Sequence, residues 1–378
     1  MDTAAIVVSG YDKRGDGINA YISYTVKVKT ADGEEEVERR YNDFVWLHQH
    51  LSAEFSGLVI PPLPEKQVSG RFSAGFVEGR RRALERFLNR TAAHEELHRS
   101  EHFRTFLQAD SHAMRATKGA DKPGTKKPRG PMKWFSDAAA AVSNFGGASS
   151  ARKTEADLEF EAVSEYIDRL EPQMQALFKH TQTLVRRGRD TAQGLFEFGL
   201  AFNLLSQSEQ GRLRHGLEQM GETADQLSVR ASEQADEEAL AFEEPIHDYI
   251  RIVGAVKAAL SSRHEKRLAY QGACADLKSK ESALSKATGQ SAAGPKRAQL
   301  QAEAQRAQGR VAETREEFEV VSARVLREVQ RFNDSKRADF KTIVCDMVQL
   351  QIEHAQKVEA AWQSLIPDLE SIQDEQQE

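Results

Sequence analysis

Residues 21–44 read YISYTVKVKTADGEEEVERRYNDF, and this stretch decides the fold of the N-terminal part of the chain. Apolar and polar residues alternate on both sides of Asp32 and Gly33, a pair typical of tight turns between antiparallel strands. After Tyr41 the apolar spacing changes to three and four residues, which is the spacing of a helix. We therefore predict a β-hairpin followed directly by a helix that ends before Gly57.

A proline-rich loop and two more helices are predicted next. Residues 61–64 are Pro-Pro-Leu-Pro, whose rings fix φ and remove backbone donors, so this segment should be an extended loop. Helical spacing returns over residues 76–91 and again over 101–108. Residues 1–112 are therefore predicted to form one domain that mixes strands and helices.

The composition then changes to that of a linker, which we assign to residues 113–130. Between Arg115 and Lys133, seven basic residues are accompanied by one acidic residue, and three prolines interrupt regular structure. Residues 131–147 are predicted to form an amphipathic helix whose aromatic and aliphatic face suits a membrane interface. The candidates for membrane insertion on this helix are Trp134, Phe135, Val142 and Phe145.

Residues 152–374 carry helical spacing almost throughout and form the last predicted domain. We expect one helix to about Ser206, a second to about Lys286 with a kink at Pro245, and a third from Pro295. Apolar stripes of this length need a partner. The predicted fold is an all-α, elongated three-helix coiled coil that forms a dimer.

Three separated motifs carry the cations that suit an anionic ligand. They are RRYNDF at residues 39–44, PPLPEK at 61–66 and EGRRRALERFL at 78–88. Arginine offers a fork of donors that matches phosphate oxygens, and lysine adds a movable point charge. If the three elements converge in the fold, they form one phosphate-binding pocket.

In this order the motifs resemble those of the PX domain, a phosphoinositide-binding module with a three-stranded sheet plus helices. The resemblance implies that Arg40 binds the 3-phosphate and that Tyr41 packs under the inositol ring. It further implies that Lys66 meets the 1-phosphate and that Arg80 binds the far ring hydroxyls. Asn42 stands where the family often has serine, and we expect it to lie outside these contacts.

Other residues around the motifs have different expected roles. The resemblance implies that Val68 and Phe72, in the loop after the proline motif, insert into the bilayer. The remaining arginines are expected to be solvated or paired with nearby glutamates, and they are Arg39, Arg81, Arg82 and Arg86.

Residues 152–374 resemble a BAR domain, and the whole arrangement resembles the PX–BAR sorting nexins of the retromer-associated sorting nexin 1/2 type. Three segments carry this likeness, 242–251 (FEEPIHDYIR), 328–332 (EVQRF) and 361–367 (AWQSLIP), and the first and last are similar to green-lineage members. The resemblance implies binding to phosphatidylinositol 3-phosphate and to curved anionic membranes. It also implies membrane tubulation in endosomal protein sorting and retrograde transport, with the retromer core as a candidate partner.

Five cations flank the predicted reversal between the second and third long helices. They are Lys278, Lys280, Lys286, Lys296 and Arg297. They outnumber the local acids Asp276 and Glu281. Because each cation near an anionic bilayer contributes about 1 kcal/mol, these residues are candidates for electrostatic membrane contact.

Several classes of function are disfavoured. A net charge of −6 over 378 residues argues against sequence-blind nucleic-acid binding. No nucleotide-binding loop, nucleophile elbow or metal-binding HExxH motif is present in the sequence, so we predict no enzyme, no catalytic residue, no cofactor and no metal. No signal peptide or membrane span is visible, so we expect a cytoplasmic protein, peripheral on the cytosolic face of endosomes.

Three questions stay open from the sequence. The dimer is either a homodimer or a heterodimer with another BAR sorting nexin. The long helices are either a membrane-bending surface or a coiled-coil scaffold or coat adaptor that binds proteins. The third question is whether the chain is instead an enzyme or an enzyme-regulating subunit, since PX modules also occur in oxidase and phospholipase proteins.

Overall fold

The structure is a computed structural model, and it divides the chain into two compact units. One unit comprises Met1–Ile167 with Gly254–Glu328, and the other comprises Asp168–Val253 with Val329–Glu378. The residues that the structure describes are 6–16, 20–30, 33–66, 72–120, 155–289 and 294–372.

The N-terminal module, residues 6–120, contains an antiparallel sheet of three strands in the order β1-β2-β3. The strands are β1 (Ile6–Arg14), β2 (Tyr21–Thr30) and β3 (Gly33–Arg40). Val26 pairs with Val8 on one side and with Val37 on the other. Val8 and Val26 are fully buried, as the alternating pattern of a half-buried sheet requires. The predicted hairpin and three-stranded sheet are confirmed.

Four helices cover this sheet and share one apolar core with it. They are α1 (Tyr41–Glu54), α2 (Ala74–Ala93), α3 (Glu101–Gln108) and α4 (Ser111–Ala120). Helices α1 to α3 lie within about two residues of the positions that apolar spacing predicts. Helix α4 was not predicted, because the basic and proline-rich sequence after it led us to place the linker from residue 113.

Two features explain why α4 forms. The Asp110 carboxylate accepts the backbone N–H groups of His112 and Ala113 at 2.8 and 2.7 Å, which caps the first turn. These two bonds hold the pKa of Asp110 below its ordinary value. Met114 is 2% exposed and belongs to the core of the module. The first eight residues of the predicted linker are therefore part of the folded module.

The rest of the described chain is helical. The long helices are α5 (Glu155–Ser206), α6 (Gly211–Glu238), α7 (Glu244–Gly289) and α8 (Gly294–Glu370). A π-helical turn at Ala239–Glu243 separates α6 from α7. The disruption expected at Pro245 takes this form, because proline cannot donate a hydrogen bond to the preceding turn and a widened turn absorbs the mismatch. The predicted all-α region is confirmed.

Within the first unit, the N-terminal module packs directly on α7 and α8. His94 Nε2 lies 3.1 Å from Glu328 Oε1, and both side chains are buried. The Val59 N–H donates to the other Glu328 oxygen at 3.1 Å. Gly57 has a φ of +89°, and a Cβ there would lie 2.9 Å from a methyl carbon of Val321. This close contact requires glycine and sets the module against α8.

Candidate anion-binding site

The structure brings Arg40, Tyr41, Lys66 and Arg80 together around one cavity of about 290 Å³. These are the four residues that the motifs predicted to converge. They come from the junction of β3 and α1, from the end of the proline-rich loop and from the second turn of α2. The pocket therefore joins elements that are up to 40 residues apart in sequence, which only the folded module can assemble.

Arg40 and Tyr41 are positioned by the start of α1. Arg40 is the residue before the helix, and its backbone N–H donates to Asp43 Oδ2 at 2.8 Å. The Arg40 side chain is 43% exposed, and its Nε lies 3.6 Å from Asp43 Oδ1. The Tyr41 hydroxyl donates to the carbonyl of Pro64. This bond ties the proline-rich loop to α1 and brings Lys66 to the cavity.

Arg80 is held more rigidly than Arg40. Its guanidinium lies between two aromatic rings, 4.5 Å from the Tyr41 centroid and 4.2 Å from the Phe76 centroid. One terminal nitrogen donates to the Glu65 carbonyl at 2.9 Å. The residue is 8% exposed and makes no ion pair within the described chain. A buried cation without a carboxylate partner is well suited to an anionic or polyol ligand.

Lys66 is the third cation that lines the cavity. It is exposed, and among the described residues it forms no ion pair. Its flexible ammonium group can therefore reach a phosphate at the rim of the cavity.

The cavity contains residues that the sequence reasoning missed. Tyr24 lines it, is fully buried and has a hydroxyl that makes no hydrogen bond of normal geometry in the described chain. Burial raises the pKa of Tyr24 above its ordinary value, although the nearby Arg80 guanidinium opposes the shift. Asn42 also lines the cavity, and its expected place outside the headgroup contacts stays a prediction. Strand alternation could have indicated that Tyr24 faces inward, but not that it faces a cavity.

Arg39 contradicts the surface role expected for it. The side chain is fully buried, and it donates to the carbonyls of Phe106 and Glu38 at 2.8 Å and to that of Ala109. Burial lowers the pKa of its guanidinium. Arg39 therefore joins β3 to the end of α3 and the start of α4. The sequence around Arg39 does not indicate this burial, because two of the carbonyls that Arg39 binds lie 67 and 70 residues away.

Arg81 and Arg82 form the ion pairs expected of surface residues. Arg81 lies 2.8 Å from Glu78 and 3.3 Å from Glu85, and Arg82 lies 3.2 Å from Glu78. Their charges are therefore compensated within α2, away from the cavity lining.

Only one residue of the membrane-insertion set is described by the structure. Phe72 is 38% exposed, lines the cavity and lies under the Lys13 ammonium group at 5.0 Å. The others lie outside the described residues, namely Val68, Trp134, Phe135, Val142 and Phe145. Their insertion stays a prediction.

The five cations around the reversal between α7 and α8 differ in how available they are. Lys278, Lys286, Lys296 and Arg297 are exposed. Lys280 instead pairs with Glu303 at 2.9 Å, which raises the pKa of this lysine. Glu303 lies on the other helix, so a count of acids close in sequence could not include it. Lys280 is therefore the least available of the five for membrane contact.

The second unit exposes apolar side chains along its helices. On α8, Val344, Val348 and Ile352 are each about half exposed and recur every four residues, so they share one face. Further exposed members lie on α5, namely Leu184, Phe196, Phe198, Leu200, Leu204 and Leu205. A row of exposed apolar side chains such as the one on α8 is a candidate interaction site.

The described residues provide neither a metal site nor a membrane span. Among the described residues, no three His, Cys, Asp or Glu side chains come together in a way that would hold a metal ion. None of the described helices is sufficiently long and apolar to cross a bilayer.

Comparisons with known proteins match both parts of the chain. The family model for the PX domain matches residues 27–110, and the model described as Vps5 C terminal like matches residues 133–368. Sorting nexin 1 of Arabidopsis thaliana is 35% identical over 368 residues, which cover 95% of this chain and 90% of that protein. Human sorting nexin-1 is 29% identical over 379 residues, covering 96% of this chain and 71% of that protein.

A solved structure supports the same architecture. The cryo-EM structure of the SNX-BAR Mvp1 tetramer matches with a TM-score of 0.69, covering 96% of this chain and 100% of that one. The sequence identity is 18%, so this likeness concerns the fold alone.

Proposed function

Because this chain belongs to the PX–BAR sorting nexins, which are non-enzymatic membrane-trafficking adaptors, we propose that it binds phosphatidylinositol 3-phosphate through Arg40, Tyr41, Lys66 and Arg80. The observation that carries this proposal is the convergence of three cations and an aromatic ring on one cavity of about 290 Å³. A PX domain implies phosphoinositide binding, and the particular isomer and contacts are part of the proposal.

The chemistry of each side chain supports its proposed role. Arg40 and Lys66 are accessible and can each bind a phosphate, one with a fork of donors and the other with a point charge. Arg80 is enclosed between rings and suits neutral ring hydroxyls that need a fixed donor. The face of the Tyr41 ring is covered by Arg80, which fixes the ring at the wall of the cavity.

We further propose that the protein dimerises through the apolar surface of its second unit and acts on curved membranes. The exposed apolar side chains of α5 and α8 described above support a dimer, since a monomer would leave them in water. A dimer presents two headgroup pockets and two sets of exposed cations to one membrane, so weak contacts combine into avidity. The proposed place of action is the cytosolic face of endosomes, in retrograde sorting with the retromer core as a partner.

The test is sedimentation of the full chain with vesicles that contain either phosphatidylinositol 3-phosphate or unphosphorylated phosphatidylinositol. We expect wild-type protein to pellet with the first and Arg40→Ala to lose that preference. Arg82→Ala is the matched control, because it removes an arginine whose charge is already paired on α2.

The same experiment separates this function from the scaffold alternative. A protein-binding coiled coil without a lipid site would stay in the supernatant with both vesicles. If wild-type protein does not distinguish the two vesicles, or Arg40→Ala binds as wild type does, the lipid-binding proposal is wrong.

A further inference from the structure

Helix α4 reaches the headgroup site although it lies between the two segments that the family models match. Its lysine, Lys118, donates to Asp43 Oδ1 at 2.6 Å and to the carbonyl of Asn42 at 3.0 Å. The Lys118 side chain is only 19% exposed. Asn42 and Arg40, the neighbours of this contact, both line the candidate cavity. A helix that contains the first residues of the predicted linker thus places a positive charge in contact with Asn42 and Asp43, next to the site.

Asp43 is the group through which this charge acts. Its side chain is 11% exposed, and one oxygen is occupied by the backbone N–H of Arg40 at 2.8 Å. The other oxygen, Oδ1, faces two cations, Lys118 Nζ at 2.6 Å and Arg40 Nε at 3.6 Å. At 3.6 Å the arginine is too far for a normal hydrogen bond. The lysine therefore holds the oxygen that Arg40 would otherwise bind.

Two other cations lie near Asp43. Arg115 lines a second cavity with Asp43 and Arg40, but its side chain is exposed and forms no ion pair within the described chain, whereas Arg40 Nε is already 3.6 Å from Asp43. Arg39 lies close enough to feel the Asp43 charge, but its guanidinium is committed to three backbone carbonyls. Removing Lys118 would leave a nearly buried carboxylate beside Arg40, and such a carboxylate binds the nearest available cation. Arg40 would then turn toward Asp43 and away from the cavity.

We propose that Lys118 is a positioning residue of the headgroup site, which compensates Asp43 and so leaves the Arg40 guanidinium free for a ligand phosphate. This inference rests on the proposed lipid-binding function. It makes α4 part of the binding module. It also means that loss of the Lys118 charge weakens phosphate binding even though Lys118 is not among the residues that line the headgroup cavity.

The test is isothermal titration of the full chain with soluble dibutanoyl phosphatidylinositol 3-phosphate. Lys118→Met should bind about fivefold to tenfold more weakly than wild type, as expected for an arginine drawn into a partly buried ion pair. Lys118→Arg should bind within about twofold of wild type, because it keeps the charge. Lys27→Met is the control for general loss of positive charge, since Lys27 pairs with Glu34 and Glu36 on the sheet.

A rescue experiment distinguishes this role from a merely structural one. Asp43→Asn added to Lys118→Met removes the competing charge and should restore affinity to within about twofold of wild type. Thermal melting of each variant checks that the module is folded.

The outcomes separate this proposal from the one it rests on. If Lys118→Met binds as wild type does while Arg40→Ala loses binding, the positioning role is wrong and the lipid-binding function stands. If Lys118→Met is weak and Asp43→Asn does not rescue it, the positioning role is also wrong. If wild type binds no dibutanoyl lipid, both proposals fail.

Discussion

The buried Arg39 offers a sharp test of how the N-terminal module is held together. We consider Arg39→Met, which keeps most of the side-chain stem and removes the guanidinium. Three carbonyls lose their donor, those of Glu38, Phe106 and Ala109. At a net cost of about 1 kcal/mol for each lost hydrogen bond, the free energy of unfolding should fall by about 3 kcal/mol. The loss should be concentrated where β3 meets α3 and α4.

Hydrogen exchange measured by mass spectrometry on the full chain can locate this effect. Amides of α3 and α4 should exchange faster in Arg39→Met, and the urea midpoint of the module should fall. Arg82→Met is the matched control, because its surface ion pair contributes only about 0 to 1 kcal/mol. If Arg39→Met leaves exchange unchanged and instead weakens only lipid binding, then Arg39 belongs to the ligand site and the reasoning is refuted.

Three further perturbations have defined outcomes. Tyr24→Phe removes a buried hydroxyl that makes no hydrogen bond of normal geometry in the described chain, so it should raise the free energy of unfolding by about 1 kcal/mol in urea. A clear destabilisation would instead mean that the nearby Arg80 guanidinium forms a stabilising hydrogen bond with this hydroxyl. Glu328→Ala removes the acceptor shared by His94 and the Val59 N–H. Hydrogen exchange should therefore increase in residues 55–60 by an amount equivalent to about 2 to 4 kcal/mol, whereas Glu328→Gln should have a smaller effect. Equal hydrogen exchange in both variants would contradict this. Asp110 has a lowered pKa, so its cap stabilises the folded state above the ordinary pKa of 3.8, and this contribution is lost as pH falls through the folded pKa. The stability difference between wild type and Asp110→Asn, followed by urea unfolding, should therefore shrink with acidification; a difference that is constant below about pH 5 would exclude this role.

The parts that the sequence predicted well are those with local, repeated signals. Alternation and turn residues located the hairpin, and three- and four-residue spacing located α1 to α3. The convergence of Arg40, Lys66 and Arg80 was predictable because the three motifs occur in the same order as in the PX domain. No single motif would have sufficed.

The parts that were missed depend on contacts between distant residues. The burial of Arg39 depends on carbonyls near residue 106, and the pairing of Lys280 depends on a glutamate 23 residues away on another helix. Helix α4 was missed because its cap and one buried methionine are weaker signals than the prolines and lysines that follow. Tyr24 was missed because alternation assigns a residue to a face of the sheet, while a cavity depends on which side chains stand opposite.

The most direct test of the central claim is a crystal structure of the protein with inositol 1,3-bisphosphate, the headgroup of the proposed lipid. We expect one headgroup between Arg40, Lys66 and Arg80, with one phosphate within hydrogen-bond distance of Arg40 and the other near Lys66. A headgroup bound elsewhere, or a cavity from which it is absent at saturating concentration, would contradict the account.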